Sequence, residues 1–277
     1  MPACNLILAL TLTAPLLAAC IVLSILCLAL LIRVSKDRAK LLQRGLLFRW
    51  PILSVDPGHI SPALRTTELG PSLDSLVSIT PSLGVRGGIS DLESCILAAL
   101  AKAASARALP GTQTHIFEFG TCTGKTTHHL ALNAGHLARV VTLTLAPDQH
   151  TTYQRGKGDD PRDTHAALKE SAFTRFYYSG TNVEPQITQL FGDSKALDIT
   201  PHQALYDLIF VDGSHARSYV ESDSRLAMQM LKPGGLILWH DYRGPWRARG
   251  VWSTLNALAQ SHTLVHIKGT SLVVYTN

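Results

Sequence analysis

Hydrophobic and polar positions divide the chain into three stretches. From Leu6 to Ile32 no charged side chain occurs, and no polar face recurs at helical spacing. That pattern predicts an apolar helix longer than the ~20 residues that cross a hydrocarbon layer. A short basic helix is expected from Val34 to about Leu47. Residues 50–87, punctuated by Pro51, Pro57, Pro62, Pro71 and Pro81, read as a linker or cap. Beyond residue 88, short apolar runs alternate with helical patterns. Ser90-Asp-Leu-Glu93 has the spacing of a capping box, and Leu92, Ile96, Leu97 and Leu100 follow it at helical intervals, so a helix is expected to run to about Ala108. Strands are predicted at His115–Phe119, Val140–Leu145, Ile187–Phe191, Tyr206–Asp212, Leu236–Trp239, His262–Ile267 and Ser271–Tyr275. Helices are predicted over Lys125–Leu137, Arg217–Leu231 and Val251–Ala259. Strands alternating with helices point to a parallel α/β sheet. The last two strands, joined by Lys268-Gly-Thr270, must be antiparallel, because a parallel return needs a long crossover. The polar region 150–185 is expected to be a helical insertion.

Charge sharpens this division. Arg33, Lys36, Arg38, Lys40, Arg44 and Arg49 stand against Asp37 alone. Taking them from the chain's 25 bases and 20 acids leaves 19 of each in residues 50–277. The net charge of +5 therefore belongs to the flank of the apolar segment, and the rest lacks the basic footprint of extended nucleic-acid binding; no nucleic-acid partner is expected. Basic flanks stay cytoplasmic. The chain is thus expected to be a single-pass membrane protein with its C-terminal domain in the cytoplasm and its basic flank against anionic lipid. A cleaved signal peptide fits less well, since its apolar core is usually about 7–15 residues. Cys95 and Cys122, the two cysteines outside residues 1–32, form neither a disulfide framework nor a metal-type Cys-x-x-Cys.

In an open parallel sheet, ligands bind beyond the carboxyl ends of the strands. Glu118-Phe-Gly-Thr-Cys-Thr-Gly124 leaves the first predicted strand, with glycines that permit a tight turn and close approach of a ligand. Gly124-Lys125-Thr126 also looks like the end of a P-loop, but that motif needs a glycine five residues before the Gly-Lys pair, and Phe119 stands there. Phe191-Gly-Asp-Ser194 follows the third strand, Asp212-Gly-Ser-His215 the fourth, and His240-Asp-Tyr242 the fifth.

Taken together, these motifs resemble the Rossmann-like (class I) S-adenosylmethionine-dependent methyltransferases, in particular a bacterial subfamily with Gly-Asp-Ser, Asp-Gly-x-His and His-Asp-Tyr signatures. The resemblance runs from about residue 88 to the end. It implies seven strands in the order 3-2-1-4-5-7-6 with the last antiparallel. With the apolar run and its basic flank, three regions are expected: a transmembrane anchor over 1–33, a basic helix and linker over 34–87, and a methyltransferase domain over 88–277. Carried over by position, Glu118, Gly120, Thr121, Gly124, Thr144, Asp193, Ser194 and Asp212 would bind the cofactor, and Asp193 would lie near the adenine. One departure stands out. Thr144 occupies the place where the family usually has an acid for the ribose hydroxyls, and Asp148 would replace it only if the loop folds back. Asp212, His215, His240 and Asp241 are the candidate catalytic groups. A histidine can serve as general base; alternatively Mg²⁺ or another divalent cation held by Asp212, Asp241 and His240 would lower the pKa of an acceptor hydroxyl. The resemblance implies O-methylation of a small-molecule, sugar or lipid-linked acceptor, the expected anchor places it at the cytoplasmic membrane face, and an oligomer is allowed. A catalytically silent anchored binding module on the same fold is the alternative; a P-loop nucleotide hydrolase is a weaker one.

Overall fold

The computed structural model of the chain describes residues 53–55, 88–109 and 111–277. The anchor expected over Leu6–Ile32, the basic helix and most of the 50–87 stretch lie outside them. Among the described residues no helix is long and apolar enough to cross a membrane.

Eight strands form one sheet: β1 (Leu53–Val55), β2 (His115–Phe119), β3 (Arg139–Thr144), β4 (Ile187–Phe191), β5 (Tyr206–Val211), β6 (Leu231–Trp239), β7 (Val265–Ile267) and β8 (Val273–Thr276). Among the described residues five α-helices accompany them: α1 (Asp91–Arg107), α2 (Lys125–Ala134), α3 (Pro161–Glu170), α4 (Arg217–Met230) and α5 (Arg249–Leu258). The sheet order is β1-β7-β8-β6-β5-β2-β3-β4. Counted from His115, the seven strands stand in the order 3-2-1-4-5-7-6. Strand β8 runs antiparallel to both β6 and β7. The eighth strand was not expected: Leu53–Val55, inside the proline-rich stretch, pairs in parallel with Val265–Ile267 at the sheet edge.

Successive residues of a strand face opposite sides of a sheet, and here each side is covered. Ile116, Leu208, Phe210, Leu236 and Leu238 pack with Ile96, Leu97 and Leu100 of α1 and Leu130 of α2. Phe117, Phe119, Ile209, Val211, Ile237 and Trp239 pack with Val220 and Met230 of α4 and Leu255 of α5. Burial on both faces explains why these strands read as continuous apolar runs rather than alternating ones. Glu118 interrupts the first layer, a carboxyl with no exposed surface on the same face as Ile116.

Local signals set most element ends. The capping box is formed: Ser90 Oγ accepts from Glu93 N, and Glu93 reaches back to Ser90 N. Helix α2 stops at Gly135, whose φ of 82° ends it three residues before the expected boundary. Strand β6 is longer than expected, extending back through Lys232-Pro-Gly-Gly235 with a register shift against Tyr206 and Leu208. The polar region 150–185 contains α3 and short 3-10 turns.

Candidate active site

The exits of β2 and β5 touch. Gly120 has φ +96°, and a Cβ there would stand 2.1 Å from the Asp212 carbonyl oxygen. The strand ladder continues one step beyond the strand ends: Gly120 N donates to Leu143 O, Asp212 N to Phe119 O, His240 N to Val211 O and Gly192 N to Thr144 O. These exits bound an open cavity of about 600 Å³ lined by Gly120, Cys122, Thr144, Asp193, Ser194, Asp212 and Gly213. Tyr153, Ala167 and Glu170 from the 150–185 insertion, and Tyr219 and Asp223 from α4, complete its wall.

The residues carried over by position divide into two groups. Gly120, Thr144, Asp193, Ser194 and Asp212 line the cavity. Glu118, Thr121 and Gly124 stand beneath or behind it. Glu118 Oε2 accepts from the hydroxyls of Thr127 and Thr142, while Oε1 has no protein partner. Burial lifts this carboxyl to about 8, against the two hydroxyl bonds. Thr121 Oγ1 lies 2.7 Å from Thr142 Oγ1 and accepts from Gln189. Glu118 thus anchors the underside of the glycine turn. Gly124, in left-handed conformation, caps α2 against Phe176 and Tyr178. Asp148 is exposed on a 3-10 turn and is not part of the cavity wall.

Four residues that the sequence did not single out belong to the wall. Tyr219 donates to Asp193 Oδ2 at 2.8 Å and stacks on Tyr153 at 4.4 Å. Asp223, one helical turn after Tyr219, is buried with Oδ1 unpartnered, and burial raises it to about 7. Glu170, at the end of α3, is raised first by burial, with His215 opposing and Asp212 and Asp241 adding to the shift. The i, i+4 spacing of Tyr219 and Asp223 after Asp212-Gly-Ser-His215 was a usable sign that they share a helix face.

Asp212, His215, His240 and Asp241 converge. His240 Nδ1 lies 2.9 Å from Asp212 Oδ1 and 3.3 Å from Asp241 Oδ1, and its side chain is 2% exposed. Burial alone would lower its pKa; Asp212 and Asp241 outweigh that and hold it well above 6.5. Asp241 pairs with His215 Nε2 and, at 2.6 Å, with Arg243 Nε. Burial pushes its carboxyl up, but His240 and His215 prevail and hold it well below the usual range. His215 is half-open, at 23% exposure. Burial would lower its imidazole, yet Asp241, Asp212 and Glu170 raise it to about 9. The buried imidazole of His240 therefore orients Asp212, while His215, unlike His240, has access to solvent.

Donor atoms of Asp212, His240 and Asp241 all lie within 4.8 Å of one another, a spacing that could hold a metal ion. The chemistry of the set argues otherwise. His240 and Asp212 already share a hydrogen bond, and Asp241 carries both His215 and Arg243. A hard divalent cation favours oxygen ligands without competing cations, so these residues do not fit Mg²⁺.

Residues 117–242 match a family model described as a methyltransferase domain. No curated protein matches the chain in sequence. Among solved structures, a cofactor-bound protein from MTB is 22% identical, covering 80% of this chain and 97% of its own, with a TM-score of 0.45. The O-methyltransferase TomG from Streptomyces achromogenes, in complex with SAM, is 18% identical over 78% and 89%, with a TM-score of 0.43. An O-methyltransferase from Bacillus cereus, in complex with SAH, is 16% identical over 80% and 100%, with a TM-score of 0.45. The match to a methyltransferase domain spans β2 to the exit of β6, the part of the chain that builds the cavity.

Proposed function

We propose that the chain is an S-adenosylmethionine-dependent methyltransferase that transfers the methyl group to an oxygen atom of a small-molecule, sugar or lipid-linked acceptor at the cytoplasmic face of a membrane. The observation that carries the site assignment is the meeting of Gly120, Thr144, Asp193 and Asp212, from the exits of four strands, on one cavity. The cradle at Gly120 has no room for a side chain, which suits the close approach of a ligand to backbone. S-adenosylmethionine, when bound, supplies an electrophilic methyl group on a positively charged sulfur. Gly120, Thr144, Asp193 and Asp212 would hold it, with the Asp212 carboxylate facing the sulfonium. Neutral His215 accepts the proton of the acceptor hydroxyl, and Asp241 stabilises the imidazolium that forms. The missing ribose acid at Thr144 leaves cofactor affinity as the property to measure first.

The membrane setting rests on the uncharged run Leu6–Ile32 and the basic flank Arg33–Arg49. Fractionation of the full chain and of a form lacking residues 1–33 tests it: the full chain should sediment with membranes and the shortened one should not.

Calorimetry of the full chain with S-adenosylmethionine and its demethylated product tests the enzyme reading. Absence of binding at millimolar ligand discards it. Binding without turnover on any acceptor pool favours the silent module. Turnover should be insensitive to chelators, and Asp241→Asn should lower turnover far more than cofactor affinity. Equal losses in the two would remove Asp241 from the acceptor side.

A further inference from the structure

Glu93 lies outside every motif discussed so far except the capping box, yet its carboxyl reaches the reaction site. Its Oε1 accepts from Ser271 N and Ser271 Oγ, each at 2.7 Å, tying α1 to the β7–β8 hairpin. Its Oε2 closes the capping box through Ser90 N and Oγ and stands 3.5 Å from His240 Nε2. The other ring nitrogen of His240 bonds to Asp212. Asp212 in turn lines the cavity. The three side chains form a row, Glu93–His240–Asp212, from the buried helix start to the cavity wall.

We infer that Glu93 is a positioning residue of the methyl-transfer site, acting through His240 on Asp212. The inference rests on the reading above that Asp212 faces the sulfonium. A charged His240 on its own would cancel the Asp212 carboxylate that a cationic ligand needs. Glu93 supplies the second carboxylate, so the row keeps one net negative charge at its open end. Asp241 does not fill that role, since His215 and Arg243 already draw on it. Burial pushes the Glu93 carboxyl up, while His240, Ser271 and Ser90 hold it well below the usual range, consistent with an ionised group.

The test compares the affinity ratio for S-adenosylmethionine, which is cationic at sulfur, and its uncharged thioether product, measured by calorimetry on the full chain. It needs no acceptor. Asp212→Asn should lower the ratio by about fivefold, a coupling usual for neighbouring groups. Glu93→Gln should lower it similarly. Ser105→Ala removes the hydrogen bond from Ser105 Oγ to Ala134 O at the far end of α1 without touching the row, so it should lower the melting temperature and leave the ratio unchanged. An unchanged ratio in E93Q would overturn the inference. If E93Q does not fold, Glu93→Asp carries the test: the shortened carboxylate must give a ratio between wild type and D212N, and an unchanged ratio overturns the inference. A wild-type chain that binds neither ligand defeats the proposed function itself, whereas binding with an unaffected E93Q defeats the positioning role alone.

Discussion

Asp241 sits at φ 63°, a left-handed conformation that few side chains tolerate, and aspartate is one of the exceptions. The kink turns its carboxyl toward His215, His240 and Arg243 rather than along β6. Backbone outliers of this kind concentrate at functional sites. The His215–Asp241 pair gives a pH prediction. With the imidazole at about 9, His215 is mostly protonated at neutral pH, so a base role requires turnover to rise as pH approaches 9. His215→Gln should abolish that rise, as a pH–rate profile would show. The stability contribution runs the other way. It is fully present below the unfolded histidine pKa of about 6.5, and it is lost as pH climbs through about 9. Glu118 supplies a second residue-scale prediction. Its carboxyl is lifted from 4.5 to about 8 by burial, so stability should fall as pH rises across that interval. Glu118→Gln keeps a carbonyl for the two threonine hydroxyls and cannot ionise. Its melting temperature should gain on wild type between pH 5 and pH 8; a constant gap would mean the group is ionised throughout.

At the scale of elements, function depends on strand exits that nearly collide. The turn after β2 passes so close to Asp212 that Gly120 has no space for a methyl group. Gly120→Ala would add a backbone clash to a strained φ. A loss of about 2–4 kcal/mol is expected by denaturant unfolding, with ligand binding lost alongside. Gly250 plays a similar part at the start of α5, where a Cβ would stand 2.0 Å from His215 O, so α5 can seat directly on the loop that carries His215. The insertion 150–185 is tied down by side chains: Lys195 bonds to Gln154 O and Ser218, and Asp159 accepts from Ser218 N and Oγ. These bonds hold Tyr153 and α3 over the cavity as part of its wall.

At the scale of the whole molecule, the cavity is walled by the exits of four parallel strands, α3 and α4. A ligand there would bridge segments far apart in sequence, so its binding should stabilise the domain as a unit. At a hundred times its dissociation constant the demethylated product would contribute about 2.7 kcal/mol, a rise of roughly 5–10 °C in melting temperature for a domain of this size. A thermal shift series in ligand concentration checks this. A rise confined to one of two separate transitions would show that the strand exits do not act together.

The sequence by itself determined the seven strands from His115 onward, the capping box at Ser90, the antiparallel end of the sheet and the residues that leave each strand. These are local properties: side-chain period, turn chemistry and cap spacing act within a few residues, and the sequence states them directly. The same locality placed Asp212, His215, His240 and Asp241 at neighbouring strand exits before any contact was known. Tertiary structure alone decided what those groups do to one another. It set Glu93 against Ser271, 178 positions away, and against His240. It turned Glu118 beneath the glycine loop, and it brought Tyr153, Glu170 and Asp223 into the cavity wall. It also paired Leu53–Val55 with β7 at the sheet edge. Each of these outcomes depends on which face of an element is buried and against which partner, and burial on both faces of a parallel sheet erases the alternation that would have announced it.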